Sequence, residues 1–114
     1  MCGITGFVNA DGSAVDRAVL ERMNAAIIHR GPDEDGFYVH ENVGLAMRRL
    51  AIIDLASGQQ PIYNADRTKW LVFNGEIYNY QALREELIAR GHALYTKSDT
   101  EAVLHLYDEF GVDC

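Results

Sequence analysis

The sequence predicts an α+β fold or a layered sandwich of helices and sheets. Short segments rich in β-branched and aromatic residues end in turns of Gly, Asn and Asp, which is typical of strands. Three other segments place apolar residues at helical spacing. These segments follow one another in the order β-α-β-β-β-α-β-α, a mixture that favours the α+β class.

The N-terminal part of the chain begins with a strand predicted over Gly3 to Asn9. A helix is expected to begin at Ser13, because Asp16 lies three residues later as in a capping box, and to end near His29. Its inward face is predicted to consist of four apolar residues at helical spacing, Val19, Leu20, Met23 and Ile27.

The middle of the chain is predicted to form two strands, Gly36 to His40 and Val43 to Leu50, joined at Glu41-Asn42. The apolar pair Ile52-Ile53 continues from the second strand. A loop is then expected from Asp54 to Pro61, because its glycine and proline interrupt regular structure.

The C-terminal part is expected to contain two strands and two helices. The apolar strand Lys69 to Phe73 should be buried on both faces, and the helix Tyr78 to Ala89 should end at Gly91. A short strand is predicted from His92 to Thr96, and a last helix should begin at the capping box Ser98-Asp99-Thr100-Glu101. The apolar residues predicted to face inward are Leu83, Leu87 and Ile88 in the first helix and Val103, Leu104, Tyr107 and Phe110 in the second.

The composition argues against several classes of function. The 114 residues carry a formal net charge of −7, so neither nucleic acid nor an anionic membrane surface is expected as the main partner. No apolar run approaches the ~20 residues of a membrane span, and no secretory signal is visible, which predicts a cytoplasmic location. The two cysteines lie at opposite ends and the four histidines show no paired spacing, so no metal site is predicted.

The first residues of the chain contain the strongest chemical signal. Removal of Met1 would make Cys2 the N-terminal residue, with a thiol and a free α-amine on one residue. Such an amine can accept the thiol proton directly or through one water, so no His or Asp is needed to activate the nucleophile. An ordinary cysteine in a short apolar strand is the alternative interpretation.

Asn74-Gly75, at the end of an apolar strand, is the second candidate site. An Asn-Gly pair often forms a hairpin turn, but here the residues from Glu76 onwards open a helix and not a returning strand. The alternative is that the Asn side-chain amide and the Gly N–H are two donors aimed at one oxyanion.

Charged residues near these segments are candidates for substrate binding. Arg48 and Arg49 are neighbours on a predicted strand, so their side chains point to opposite faces and only one can serve a given pocket. If such an arginine is buried among apolar residues it needs an anionic partner, either a bound carboxylate or a local acid such as Asp54. Asp99 has the alternative interpretation of a first-turn acid favoured by the helix dipole.

Together these segments resemble the glutamine amidotransferase domains of the N-terminal-nucleophile class, and most closely those of glutamine-hydrolysing asparagine synthetases. The motifs occur in the family's order over essentially the whole chain, and the ordered set is far more specific than any one of them. They are Met1-Cys-Gly-Ile-Thr-Gly-Phe7, His29-Arg-Gly-Pro-Asp33, Arg48-Arg-Leu-Ala-Ile-Ile-Asp54, Gln60-Pro61, Asn74-Gly-Glu-Ile-Tyr-Asn79 and Ser98-Asp-Thr-Glu101.

The resemblance implies a four-layer αββα sandwich and a glutaminase reaction. It implies that Cys2 attacks the side-chain amide of L-glutamine while Asn74 and Gly75 hold the oxyanion. A γ-glutamyl thioester on Cys2 is then hydrolysed to glutamate, and the ammonia travels to a separate ATP-dependent domain that amidates aspartate. The residues implied in substrate binding are Arg49, Leu50, Ala51, Ile52 and Ile53 as carboxylate clamp and pocket wall, Asn74 and Gly75, and Glu76 and Asp99 at the α-ammonium group.

The length of the chain adds a further expectation. A family amidotransferase domain is close to twice as long, so residues 1–114 are expected to be the N-terminal part of one, with the synthetase domain absent. An incomplete sandwich leaves an open sheet edge, which predicts a tendency to form homo-oligomers. No cofactor is expected in this domain, whereas ATP and Mg²⁺ are implied for the absent synthetase domain.

Two alternative functions remain open from the sequence. One is another amidotransferase with an N-terminal cysteine, of the amino-sugar synthase or amidophosphoribosyltransferase type. The other is a non-catalytic, truncated interaction fragment, which the short length allows. The motifs Arg49-Leu-Ala-Ile-Ile-Asp54 and Asn74-Gly-Glu-Ile-Tyr-Asn79 favour the asparagine synthetase type.

Overall fold

The computed structural model describes residues 2–51 and 58–114. It is an α+β fold with two antiparallel sheets, so the predicted class is confirmed at that level. The first sheet has three strands in the spatial order β1-β3-β2 and the second has two, with the bounds β1 Gly3–Val8, β2 Glu34–His40, β3 Val43–Arg49, β4 Ile62–Tyr63 and β5 Trp70–Leu71.

The described part of the chain contains three α-helices beside the sheets. They are α1 (Arg17–Ala26), α2 (Tyr80–Ala89) and α3 (Asp99–Phe110), with 3-10 turns at Ile28–Arg30 and Gly111–Asp113. Within the described ranges, none of these helices has the length and apolar character that crossing a membrane requires.

The central strand β3 organises the N-terminal part of the molecule. It pairs with β1 in the register Gly3 opposite Arg48 and with β2 in the register Glu34 opposite Arg49. Helix α1 packs against β3 and β1, whereas α2 packs against α3 and α3 packs against β4 and β5. Among the residues that the structure describes, the buried apolar side chains are Val15, Leu20, Ala46, Met47, Ile62, Leu87, Ala102 and Leu104.

Helix α1 begins later than the sequence predicts. The expected start at Ser13 is wrong, because the Asp11 carboxylate accepts hydrogen bonds from the backbone N–H and the hydroxyl of Ser13. Asp16 is extended and is itself the N-cap, since its side chain accepts from the backbone N–H of Ala18. Of the four residues predicted to face inward, Leu20 is fully buried and the other three are half-buried.

The predicted strand Lys69 to Phe73 is shorter and more exposed than expected. Only Trp70–Leu71 forms a ladder, and it pairs with Ile62–Tyr63, a strand that the sequence analysis did not predict. Both residues of β5 are half-buried, so the prediction of burial on both faces is wrong.

The strand predicted from His92 to Thr96 does not form. The backbone N–H groups of Tyr95 and Thr96 donate to the Glu101 carboxylate, each over 2.7 Å, and the Arg84 guanidinium donates to the Thr96 carbonyl over 2.6 Å. These side chains therefore occupy backbone groups that a ladder would have needed.

The two C-terminal helices begin and end close to the predicted positions. Helix α2 ends at Ala89, and Gly91 terminates it with a φ of +95°. Gly91 donates to the Ile88 carbonyl and His92 donates to the Leu87 carbonyl, as in a Schellman motif. Ile88, predicted to face inward, is 54% exposed.

Ser98 caps α3 by accepting from the Thr100 N–H, as predicted. Glu101, however, does not return a bond to the Ser98 N–H, which donates instead to the Thr96 hydroxyl. The capping box is therefore incomplete. Tyr107 and Phe110 were predicted to face inward and are 41% and 44% exposed.

Candidate active site

A cavity of about 320 Å³ lies where the end of the first sheet meets the loops around α3. It collects residues from five separate parts of the sequence. The described residues that line it are Cys2, Arg49, Leu50, Gly58, Gln60, Phe73, Asn74, Gly75, Glu76, Ser98, Asp99 and Thr100.

Cys2 lies at the sheet end of this cavity, directly before β1. The register that places Gly3 opposite Arg48 brings Cys2 beside Arg49 if it is continued by one residue. The thiol is half-buried, and its Sγ atom lies 3.8 Å from the Leu50 carbonyl oxygen. The antiparallel ladder therefore fixes the backbone that directly follows Cys2.

Arg49 and Arg48 point to opposite faces, as their positions on a strand require. The Arg49 side chain is buried, lines the cavity and donates from Nη1 to Glu34 Oε2 over 2.7 Å. Arg48 donates from Nη1 to Asp35 over 3.0 Å and from Nε to the Gly31 carbonyl over 2.9 Å. A local acid thus pairs with each arginine, and for each it is the cross-strand residue of β2.

The chain beyond β3 continues along the cavity wall. Leu50 lines the cavity, whereas Ala51 is half-buried and its N–H donates to Asp33 Oδ2 over 3.0 Å. Asp33 also donates its own N–H to the Arg49 carbonyl. The predicted wall residues Ile52 and Ile53, and Asp54, lie outside the described residues.

The loop that follows β5 supplies the other side of the cavity. Asn74, Gly75 and Glu76 are exposed and line it. The next residue, Ile77, donates its N–H to Asp99 Oδ2 over 2.9 Å. Asp99 is only 6% exposed, and this hydrogen bond holds the loop against the start of α3.

Glu101 stabilises the neighbouring segment in a similar way. Its fully buried carboxylate accepts from the N–H groups of Tyr95 and Thr96 and from the Thr96 hydroxyl. The segment before α3 is thereby fastened to the helix that carries Asp99.

The structure adds five lining residues that the sequence analysis did not select: Gly58, Gln60, Phe73, Ser98 and Thr100. Four of them directly flank selected residues or belong to motifs already noted. Phe73 precedes Asn74, Ser98 and Thr100 flank Asp99, and Gln60 belongs to the Gln60-Pro61 motif. No comparable sequence signal points to Gly58.

The cavity combines a thiol, an arginine, two carboxylates and an exposed Asn-Gly pair. A thiol is a nucleophile for carbonyl carbon, and Asn-Gly offers amide donors for an oxyanion. Arginine and carboxylates complement the two charges of an amino acid. Over residues 2–51 and 58–114, no group of three or more His, Cys, Asp or Glu side chains is arranged to hold a metal ion.

Comparison with known proteins agrees with this chemistry. The profile of the glutamine amidotransferase domain matches residues 1–114, and the chain therefore belongs to that family. The resemblance predicted from the motifs is confirmed.

Curated relatives extend the comparison. The chain is 47% identical over 113 residues to asparagine synthetase [glutamine-hydrolyzing] 1 of Bacillus subtilis (strain 168), covering 96% of this chain and 18% of that protein. It is 45% identical over 112 residues to asparagine synthetase [glutamine-hydrolyzing] 3 of Arabidopsis thaliana, covering 97% and 19%. For asparagine synthetase [glutamine-hydrolyzing] of Zea mays the identity is 43% over 112 residues, covering 97% and 19%. The chain thus spans about a fifth of the length of these relatives.

Proposed function

We propose that this chain is the glutamine-hydrolysing part of an asparagine synthetase, with Cys2 as its nucleophile. The observation that carries the proposal is the cavity, which brings Cys2 together with Arg49, Asn74, Gly75 and Asp99 from distant parts of the sequence. Family membership and the names of the relatives supply the reaction and the substrate.

The proposed reaction begins after removal of Met1. The free α-amine of Cys2 accepts the thiol proton, and Sγ attacks the side-chain carbonyl carbon of glutamine. The carbonyl oxygen becomes an oxyanion that accepts from the Asn74 side-chain amide and the Gly75 N–H. The C–N bond breaks as the ammonium group returns the proton to the leaving nitrogen, so ammonia departs and a γ-glutamyl thioester remains.

Water completes the cycle in the proposed mechanism. The α-amine of Cys2 accepts a proton from the attacking water, the thioester carbon–sulfur bond breaks, and glutamate leaves with the thiol restored. Both halves of the reaction pass through a tetrahedral oxyanion, so the same two donors serve each step.

Substrate recognition is assigned to the charged residues of the cavity. Arg49 binds the α-carboxylate of glutamine and Glu76 and Asp99 bind its α-ammonium group. Arg49 is prepared for this role because β3 fixes its backbone and Glu34 orients its guanidinium from one side. We assign the rest of the substrate pocket wall to Leu50 and Ala51 and, on the family resemblance alone, to Ile52 and Ile53.

The remaining proposals concern the longer enzyme. We assign the released ammonia to a separate ATP-dependent synthetase domain that amidates aspartate, and the complete amidotransferase domain to the four-layer αββα sandwich. The relatives described above favour this enzyme over an amino-sugar synthase or an amidophosphoribosyltransferase. A cytoplasmic location and homo-oligomer formation stay predictions.

The test compares two variants of the full-length enzyme, each with one cysteine replaced by alanine. Cys2→Ala should abolish glutamate release from glutamine while synthesis from added ammonia continues. Cys114→Ala, which changes an exposed thiol in the same way, should leave both activities unchanged. The intact mass of the unaltered protein should show loss of Met1. Glutamate release by Cys2→Ala at the unaltered rate, or retention of Met1 in active protein, would overturn the nucleophile assignment.

A further inference from the structure

Gln60 makes an unusual two-point attachment to the loop that carries Asn74 and Gly75. Its side chain is buried at 7% exposure. The Phe73 N–H donates to Gln60 Oε1 over 2.6 Å, and Gln60 Nε2 donates to the Phe73 carbonyl over 3.1 Å. A single side-chain amide thus satisfies both backbone groups of Phe73, as a neighbouring strand would in a sheet.

The position of Phe73 gives this attachment its significance. Strand β5 ends at Leu71, so the β4–β5 ladder does not reach the two residues before Asn74. Farther along, Asp99 fixes the loop by accepting the Ile77 N–H. The segment 74–76 is therefore held by a side chain at each end, by Gln60 before it and by Asp99 after it.

The ring of Phe73 in turn contacts Gly75. A Cβ atom added at Gly75 would lie 2.6 Å from the Phe73 Cζ atom, so the backbone of Gly75 packs directly on this ring. Gln60 Nε2 also lies 3.4 Å from the Thr100 hydroxyl, next to Asp99 at the start of α3. Gln60 thus links the Asn-Gly loop to the helix that holds its other end.

We propose that Gln60 is a positioning residue for the oxyanion hole. By holding the backbone of Phe73, it fixes the direction of the Gly75 N–H and the placement of the Asn74 side chain. The inference rests on the proposed glutaminase function. The oxyanion exists only in the transition state and the intermediates, so a misplaced donor lowers kcat and leaves KM nearly unchanged.

The main test variant is Gln60→Glu in the full-length enzyme. The carboxylate keeps the size of the side chain and still accepts from Phe73 N–H, but it cannot donate to the Phe73 carbonyl. We expect kcat for glutamine hydrolysis to fall by about ten- to a hundredfold, with KM within about twofold. Gln59→Glu is the matched control, because it makes the same change at the adjacent, exposed position and should retain full activity.

A second variant keeps the test decisive if a buried carboxylate unfolds the protein. Gln60→Met removes both hydrogen bonds with Phe73 and introduces no charge. It should show the same selective loss of kcat. Its unfolding temperature should fall because the Phe73 N–H loses its acceptor, but the enzyme should remain folded at the assay temperature. A Gln60→Met enzyme with normal kcat overturns the positioning role.

An inhibitor measurement separates positioning from general damage. An aldehyde analogue of glutamine forms a tetrahedral adduct with a thiol, whose oxygen occupies the oxyanion position. Its affinity should fall by the same factor as kcat in the Gln60 variants, while the affinity for glutamate stays unchanged. Equal loss of both affinities, or a rise in KM alone, overturns the inference.

The outcomes distinguish this inference from the function on which it rests. If the unaltered enzyme releases no glutamate from glutamine, the proposed function fails and the role of Gln60 fails with it. If the unaltered enzyme is active and both Gln60 variants match it, only the role of Gln60 is overturned.

Discussion

The two parts of this molecule hold their halves of the cavity by different means. In the sheet region, residues 2–51, Cys2 and Arg49 lie at the end of a backbone ladder in which β3 is bonded on both sides. In the C-terminal region, residues 58–114, buried side chains hold the loops through bonds to their backbone.

The difference implies different responses to mutation. A ladder distributes its stabilisation over many backbone bonds, so changing one side chain leaves the strand in place. A loop held by one carboxylate or one amide loses its position when that group is removed, and the freed N–H groups remain buried. A single substitution in the sheet region should therefore change activity and leave the fold intact. A substitution that removes one of the groups holding a C-terminal loop should change both activity and stability.

The largest effect on stability is expected at Glu101. Glu101→Ala leaves three donors on Tyr95 and Thr96 without their acceptor, which should lower the free energy of unfolding by about 4 kcal/mol. Urea unfolding measures the loss. Glu85→Ala, on the exposed side of α2, is the control and should change the free energy of unfolding by less than about 0.5 kcal/mol. Equal stability of the two variants would contradict the anchoring role.

Arg49→Lys tests the opposite expectation in the sheet region. Lysine keeps the charge but not the planar fork, so the KM for glutamine should rise about thirtyfold, equivalent to about 2 kcal/mol of binding. The fold should persist because the ladder holds β3. Arg48→Lys, on the other face of the strand, should leave KM unchanged. The same KM change in both variants would show that neither arginine has a special role.

Asp99→Asn separates the two tasks assigned to this carboxylate. The asparagine side-chain oxygen still accepts from the Ile77 N–H, so unfolding should change little. The lost charge should raise the KM for glutamine about tenfold, because the α-ammonium group loses its partner. Steady-state kinetics with a parallel unfolding curve provide the measurement. An unchanged KM would assign Asp99 to the fold alone.

The smallest effect is expected at Asp108, which accepts from Lys69 and from the buried Asn64. Burial raises the pKa of Asp108, but the bonds from Lys69 and Asn64 outweigh it, so the pKa is lowered overall. A lowered folded-state pKa gives stability that is present above the unfolded-state value and is lost as the pH falls through the folded-state value. Asp108→Asn should therefore cost about 1 kcal/mol at neutral pH, and this difference should shrink in acid. Urea unfolding of both proteins at neutral and at acidic pH measures this difference in stability. A difference that does not change with pH would contradict the expectation.

The sequence predicts the strands of the sheet region better than the C-terminal segments that single side chains hold in place. Alternating residues and the Glu41-Asn42 turn predict β2 and β3 closely, because a ladder depends on local pattern. The strand expected over His92 to Thr96 is wrong, since Glu101 and Arg84 take its backbone groups. Such competition of side chains for backbone groups is not visible in the residue pattern that predicts a strand.

The candidate site also contains residues that the sequence identifies and one whose role it does not. Cys2, Arg49 and Asn74-Gly75 could be selected because each carries recognisable chemistry at a distinctive position. Gln60 could not be assigned a role from the sequence, because its function in the fold depends on the backbone of Phe73. Only the three-dimensional structure brings those two residues together.

The most direct test of Cys2 as the nucleophile is its covalent state during turnover. The full-length enzyme is mixed with glutamine, quenched in acid and digested, and the mass of the N-terminal peptide is measured. We expect a peptide that begins at Cys2 and carries one γ-glutamyl group on its sulfur, and no such adduct in Cys2→Ala. Glutamine turnover with the γ-glutamyl group on another residue, or an adduct that persists in Cys2→Ala, would contradict it.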